Sequence, residues 1–417
     1  MEDEERYTLD NGFEVRWWPT EDPVTCANLV IRAGSLNETP GENGLAHFLE
    51  HCVAGAGAPG FTPERDWSVL TSKLGYANWK TGQRFTIAQG SFLQERLPLF
   101  IDYVSSHTLT PTFDPLGVEN ERKAVLREIA DHRSAPDDGK SRAVAAAIYR
   151  GHPALHNGLG DEMIVKNATI DDLRAIHARW YTPANMALLV AGPRPADARQ
   201  RIEDAFGTAA PGSRLPSLDL PVLDPIGESQ VFRFPLPKGE HHAPSANLYC
   251  SVIVPPSGTA QEATIDVLTA ILESRDRLSA ALRSGSGIAY SVKADIHAVL
   301  NTSVLTVSSK VDALRADESL VRIVREFNRL QEDPIADEEL DDLRYLVRYQ
   351  AASSFLTPLG TLQSLLHEFV HDRPYLSYLD QMSTVTPQQI QDVAQAHLPR
   401  NLDERHVTSI WSQLYEE

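Results

Sequence analysis

The stretch Gly44-Leu-Ala-His47-Phe-Leu-Glu50-His51 sets three ionisable side chains among apolar ones at helical spacing. His47 and His51 are four apart, so on a helix both imidazoles reach toward one point, with Glu50 on the same face. Leu45, Phe48 and Leu49 surround them, which predicts a largely buried helix from Gly44 to Ala54. Buried His and Glu require partners, and one metal ion supplies a partner to all three. Two neutral imidazoles are good zinc ligands, but a catalytic zinc keeps three protein ligands and leaves the fourth position to water. A further ligand must come from elsewhere in the chain.

The segment Val118-Glu-Asn-Glu-Arg-Lys-Ala-Val-Leu-Arg-Glu-Ile-Ala offers one. Glu121 and Glu128 are two helical turns apart and share a face, while Val125, Leu126 and Ile129 supply apolar packing. One carboxylate could bind the metal and the other orient a His ring or a substrate group. Taken alone, this Glu pair is no more than a solvated helix face.

Around these helices the pattern reads as mixed α/β. Tyr7 to Trp18 is a strand pair turning at Asp10-Asn-Gly12, Asn28 to Ala33 a further strand, Pro63 to Leu74 a helix, and Ala77 to Ala88 a strand. Helices dominate from Phe92 to Tyr149, and Met186 to Ala191 is a last strand. Strands set apart from a block of helices predict an α+β fold, each domain a mostly antiparallel sheet against a layer of helices.

The unit is written twice. Ala27-Asn28-Leu29 has an echo in Ala246-Asn247-Leu248, the capping box Thr169-Ile-Asp-Asp172 in Thr386-Pro-Gln-Gln389, and Pro183-Ala-Asn185 in Pro399-Arg-Asn401. All three recur in the same order at an offset a little under about 220 residues. The Pro- and Ser-rich run between Ala210 and Glu228 separates the copies. The expected division is therefore a metal-binding domain over 1–209, a linker over 210–228 and a homologous domain over 229–417. The offset puts Asp266 near His47 and Ala270 near His51, so one metal per chain is expected.

Composition narrows the partners. With 38 Lys+Arg against 57 Asp+Glu the formal charge is -19, which repels nucleic-acid phosphates and anionic lipid. No apolar run approaches the roughly 20 residues of a membrane helix. The acidic Met1-Glu-Asp-Glu-Glu-Arg start is neither a signal nor a transit peptide, which predicts a cytoplasmic protein. Cys26, Cys52 and Cys250 are too few and scattered for a disulfide framework or a Cys-based zinc site. His241-His242 reads as a loop before a strand.

The opening Tyr7-Thr-Leu-Asp-Asn-Gly12, the run GSLNETPGENGLAHFLEH over 34–51, the Glu121-to-Glu128 spacing and the distance from His51 to Glu128 are together informative. They resemble the pitrilysin/insulinase family of inverted-motif zinc peptidases, which includes the mitochondrial processing peptidase. The resemblance implies a single Zn2+ per chain held by His47, His51 and Glu128, with Glu50 as the base and Glu121 a carboxylate behind the ligands. Asn78-Trp-Lys-Thr81, continuing to Thr86, resembles the family's edge strand, which pairs with an extended peptide by β-strand addition. That makes Asn78 and Trp79 substrate-binding residues. Trp79 stands where a small residue is usual, and its alternative reading is a buried anchor.

Leu282-Arg283-Ser-Gly-Ser-Gly-Ile-Ala-Tyr290-Ser-Val292 resembles the family's Arg/Tyr segment, which implies that Arg283 and Tyr290 contact the substrate or the developing oxyanion. On its residues alone, Gly285-Ser-Gly287 is a flexible turn without the spacing of a nucleotide fingerprint. The implied function is a zinc metalloendopeptidase acting on extended or unstructured peptides, leader-peptide processing included. The alternatives are a non-catalytic structural subunit and a zinc-dependent peptide-binding protein of the same fold. The half-length chain implies a homodimer, or a heterodimer with a related subunit.

Overall fold

The computed structural model describes residues 4–62, 72–135, 137–156, 158–236, 244–284, 287–299 and 302–415. The first half contributes β1 (Glu5–Thr8), β2 (Glu14–Pro19), β3 (Val24–Ile31), α1 (Leu45–Gly55), β4 (Tyr76–Thr81), β5 (Thr86–Leu93), α2 (Leu97–Leu109), α3 (Pro115–Ser134), α4 (Asp138–Tyr149), α5 (Glu162–Asn167), α6 (Ile170–Trp180), β6 (Met186–Gly192) and α7 (Ala198–Phe206). The second half contributes β7 (Gln230–Pro235), β8 (Ser245–Val254), α8 (Glu262–Glu273), β9 (Ala289–Val299), β10 (Thr302–Asp312), α9 (Ala316–Glu332), α10 (Asp337–Ser353), α11 (Pro358–His371), α12 (Tyr375–Thr384), α13 (Pro387–His397) and β11 (Val407–Ser412).

Two sheets form, with strand orders β1-β2-β6-β3-β5-β4 and β7-β11-β8-β10-β9. In the first, β2 and β6 run parallel and every other pair is antiparallel; in the second, β7 and β11 are the one parallel pair. Without β1, the two orders superimpose strand for strand. Asn28 sits between Leu189 and Gln89, and Asn247 between Trp411 and Lys310, so the echoed tripeptide occupies the same ladder position in each sheet. Both capping boxes close as the sequence predicts, at Thr169 before α6 and Thr386 before α13. This is the α+β repeat expected from the sequence.

The compact units are not collinear with the chain. One comprises residues 1–135, 156–219 and 353–372, and the other 136–155, 220–352 and 373–417. The first sheet shows why. Along β6, Leu188 and Val190 point into a core with α1, α2, α6 and α7, while Ala187, Leu189 and Ala191 point to the opposite face, against Leu362 and Phe369 of α11. A sheet buried on both faces needs continuous apolar strands, and β6 is buried at every position. Truncating one such residue, Leu188→Ala, costs about 2–5 kcal/mol. In the second unit, α4 likewise packs on β7, β8 and β11, with Ile148 against Ile253, Val304 and Val407. Each sheet thus takes its outer cover from the opposite half of the chain.

Two expectations are corrected. The single strand from Ala77 to Ala88 is a hairpin, β4 and β5, turning at 82–85, where Gly82 N–H bonds Phe85 O at 2.8 Å. The final strand of the helical block's lead-in, β5, runs on to Leu93 before the helices begin. The predicted helix from Pro63 lies outside the described residues up to 71, as do His241-His242. Among the described residues the three cysteines are free and buried, and no helix is long and apolar enough to cross a membrane.

Candidate metal centre

The helix α1 starts at Gly44, whose φ of 96° suits glycine and whose backbone lies against Gly160, also in the left-handed region. A Cβ on Gly44 would come within 2.7 Å of Gly160 Cα, so this helix start requires glycine on both sides. Glu38 closes the helix end: its Oε1 accepts from Gly44 N at 2.9 Å and Ala46 N at 2.7 Å. Its Oε2 lies 2.7 Å from His156 Nε2. Leu45, Phe48, Leu49, Cys52 and Val53 anchor the helix in the core, which aims His47, Glu50 and His51 at the facing helix α3.

There the geometry converges. Glu128 Oε2 lies 3.6 Å from His47 Nε2 and 3.7 Å from His51 Nε2. Two ligands at 2.0–2.2 Å from a tetrahedral ion stand about 3.4 Å apart, so these three atoms are close to the spacing a shared zinc requires. The donor set, two imidazoles and a carboxylate, suits zinc as well. Glu121 Oε2 accepts from His51 Nδ1 at 3.0 Å, which fixes the ring and presents Nε2 toward Glu128. Among the described residues His47 Nδ1 is buried without a hydrogen-bond partner, unlike its His51 counterpart. The ligand-capable atoms of His47, Glu50 and His51 all lie within 4.8 Å of one another.

Electrostatics follow from burial. Desolvation, with the neighbouring His51, pulls His47 down to about 4, so its ring is neutral and ligand-ready at neutral pH. Burial also pushes the Glu50 carboxyl up to about 7, against the opposing pull of His51 and of a hydrogen bond from Thr81 Oγ1 at 3.2 Å. For His51, burial lowers the pKa, but the Glu121 hydrogen bond and the fields of Glu50, Glu121 and Glu128 outweigh it and raise it.

His47, Glu50, His51, Asn78, Trp79, Glu121 and Glu128 line one cavity of about 650 Å³. The wall they share is β4, which among the described residues is the terminal strand of its sheet and bonds to β5. Its residues alternate, with Asn78 exposed and Trp79 buried. Trp79 Nε1 donates to Tyr103 Oη at 3.2 Å, and Tyr103 in turn donates to Ala54 O at the end of α1. Trp79 is thus an anchor between the edge strand and α1 as well as part of the cavity wall. Arg283 and Tyr290 belong to the second unit, where both are exposed, Tyr290 at the start of the edge strand β9.

Sequence reasoning missed Glu38, Lys80, Thr81 as a partner of Glu50, and His132, which lines the cavity one turn beyond Glu128. Glu38 caps from six residues before Gly44, beyond the reach of any capping-box pattern. His132 extends the 121–128 face and could have been read from the same heptad.

Two like-built sheet-and-helix units, one of them bearing a His-Glu-His cluster opposite a Glu pair, define the class. Residues 19–161 match the family model described as insulinase (peptidase family M16), and residues 167–345 the one described as peptidase M16 inactive domain. The chain belongs to this family. It is 24% identical over 344 residues to "Uncharacterized zinc protease YmxG" of Bacillus subtilis (strain 168), covering 81% of each chain. It is 26% identical over 185 residues to the mitochondrial-processing peptidase subunit beta of Dictyostelium discoideum, covering 44% of this chain and 39% of that one. The fold matches the first half of the periplasmic protease PqqL from Escherichia coli with a TM-score of 0.82 at 19% identity, over 99% of this chain and 92% of that one.

Proposed function

We propose that the chain is a zinc-dependent endopeptidase for extended or unstructured peptides, with leader-peptide removal among its candidate roles. The observation that carries this reading is the meeting of Glu128 Oε2 with both imidazole Nε2 atoms, with the Glu50 carboxyl beside them. His47, His51 and Glu128 would hold the ion, and Glu121 would orient His51. Bound there, zinc would acidify water toward a pKa of about 7 and polarise a carbonyl.

The chain's own residues then account for the rest. The free edge of β4 offers backbone N–H and C=O groups to an extended peptide, and the cavity beside it receives the scissile bond. Glu50 takes a proton from the attacking water and delivers it to the leaving amine. Thr81 holds the Glu50 carboxylate in place for both transfers. Arg283 and Tyr290 supply donors to the developing oxyanion. Their exposure on the second unit supports a homodimer in which each protomer's pair serves its partner's site, with a related metal-free subunit as the other way to supply it.

The test is cleavage of a diverse mixture of unstructured peptides, read by mass spectrometry, for the parent and Glu50→Gln. Cleavage by the parent alone, with one zinc bound to each, is the expected result. Equal cleavage by both removes Glu50 as the base, and binding without cleavage by the parent makes the protein a peptide holder. A monomeric mass at full activity removes the shared site.

A further inference from the structure

The first unit has another cavity, of about 350 Å³, with no part in the metal centre. It opens where the 82–85 turn, the ends of β2 and β3, the 214–218 segment and the end of α11 meet. Four arginines line it, Arg16, Arg32, Arg84 and Arg214, against two carboxylates, Glu14 and Asp372. In a chain of net charge -19, such a local excess of cations is out of pattern.

Glu14 is already engaged twice. Its Oε1 accepts from Arg16 Nε at 2.7 Å and its Oε2 from Arg32 Nη2 at 2.6 Å. The Arg32 guanidinium also lies 3.7 Å from the centroid of the Phe369 ring, which fixes its plane. Arg84 is half-buried yet has no hydrogen bond or ion pair among the described residues, and its side chain rests only near the Phe85 ring, at 5.2 Å. Burial alone lowers its pKa, with no carboxylate to oppose the desolvation. Arg214 is exposed and likewise unpaired, and after burial it is the largest cause lowering Arg32 to about 10. A lone exposed arginine is ordinarily just solvated. Here a desolvated cation and a repelling neighbour converge on a cavity whose Glu14 is spent on Arg16 and Arg32 and whose other carboxylate, the exposed Asp372, pairs with neither Arg84 nor Arg214; desolvated charges are normally paired.

We propose that this cavity binds a doubly charged oxyanion, a phosphoryl group either free or carried on a small molecule. Planar guanidinium groups match phosphoryl oxygens two at a time, and the volume admits a phosphoryl with a modest organic body. The turn carrying Arg84 is held rigidly for the purpose. Ser35 N donates to Gly82 O at 3.1 Å and Leu36 N to Gln83 O at 2.9 Å, and a Cβ on Gly34 would lie 2.3 Å from Gly82 O. The site is independent of the proposed peptidase activity and stands or falls separately from it.

The test is calorimetric titration of the zinc-loaded full chain with inorganic phosphate, glycerol phosphate and acetate at matched ionic strength. Phosphate should bind once per chain and at least tenfold more tightly than acetate. Arg84→Ala and Arg214→Ala should each weaken it at least tenfold, with Arg84→Lys intermediate because it keeps the charge and loses the fork. Arg201→Ala, an exposed arginine paired with Asp197, should change nothing. Glycerol phosphate binding more tightly than phosphate supports the site with a carried phosphoryl, and binding more weakly supports it with free phosphate. Equal affinity for phosphate and acetate, undiminished binding in the Arg84/Arg214 double variant, or binding that disappears when zinc is stripped would overturn the proposal.

Discussion

The two units share the order of five strands and differ in what the helix after the matching strands β3 and β8 carries. In α1, His47, Glu50 and His51 face α3, which brings Glu121 and Glu128. Carrying the spacing from Asn28 to Asn247 onto these residues puts Asp266 opposite His47, Thr269 opposite Glu50 and Ala270 opposite His51. Leu340 and Val347 of α10 then stand opposite Glu121 and Glu128, and both are buried among apolar residues of that helix. Five positions thus change from His47, Glu50, His51, Glu121 and Glu128 to Asp266, Thr269, Ala270, Leu340 and Val347, while the order of the five matching strands and the Thr169 and Thr386 capping boxes stay the same. The fold is therefore indifferent to the chemistry, because burial pattern and ladder position determine it and the site occupies one face of one helix pair. The description of residues 167–345 as an inactive domain fits that contrast.

The contrast can be broken first at Glu50. Glu50→Gln should lower peptide cleavage by about 10³-fold or more while zinc content stays at one per chain, measured by product formation and metal analysis. Next comes Glu121, whose loss frees the His51 ring. Glu121→Ala should weaken zinc binding about 10–100-fold, read by competition with a chelating dye. The corresponding Leu340→Ala would leave zinc affinity unchanged and lower only stability.

In the second unit the residual carboxylate Asp266 gives a third test. Burial, reinforced by Glu262 and opposed by Arg373, raises it from 3.8 to about 7. A raised carboxyl favours the folded state fully only below its unfolded pKa, and that stability is lost as pH rises from about 4 to about 7. Asp266→Asn should therefore match the parent's unfolding free energy at pH 4 and exceed it by about 4 kcal/mol at pH 8, read by denaturant unfolding. A gain independent of pH would show that Asp266 is ionised throughout.

The smallest effects should be equal in the two units. Thr169→Ala and Thr386→Ala remove matching capping boxes, and each should cost about 1 kcal/mol by denaturant unfolding. Unequal costs would mean that the repeat is geometric without being energetic.

Most of the candidate site was legible because its signals are local. Spacings of four and seven residues place His47 with His51 and Glu121 with Glu128 whatever the rest of the chain does. The alternation of β4 likewise fixes Asn78 outward and Trp79 inward, although the sequence left open whether Trp79 meets substrate or core. Other features were not legible. The hairpin between Ala77 and Ala88 turns at Gly82 because the 34–37 loop clamps it there. Glu38 reaches the start of α1 through a loop, and Thr81 reaches Glu50 of α1 from the edge strand β4.

The sequence by itself determined the repeat and the faces that group His47, Glu50 and His51 on one helix and Glu121 with Glu128 on another, since helical and strand periods and cap residues act over a few positions. Only the tertiary structure decided that α4 and α11 each cover the sheet of the opposite half, that Trp79 ties the edge strand to α1 through Tyr103, and that four arginines from distant segments meet in one cavity. Those outcomes depend on which apolar faces find each other across hundreds of residues, and no local pattern records that choice.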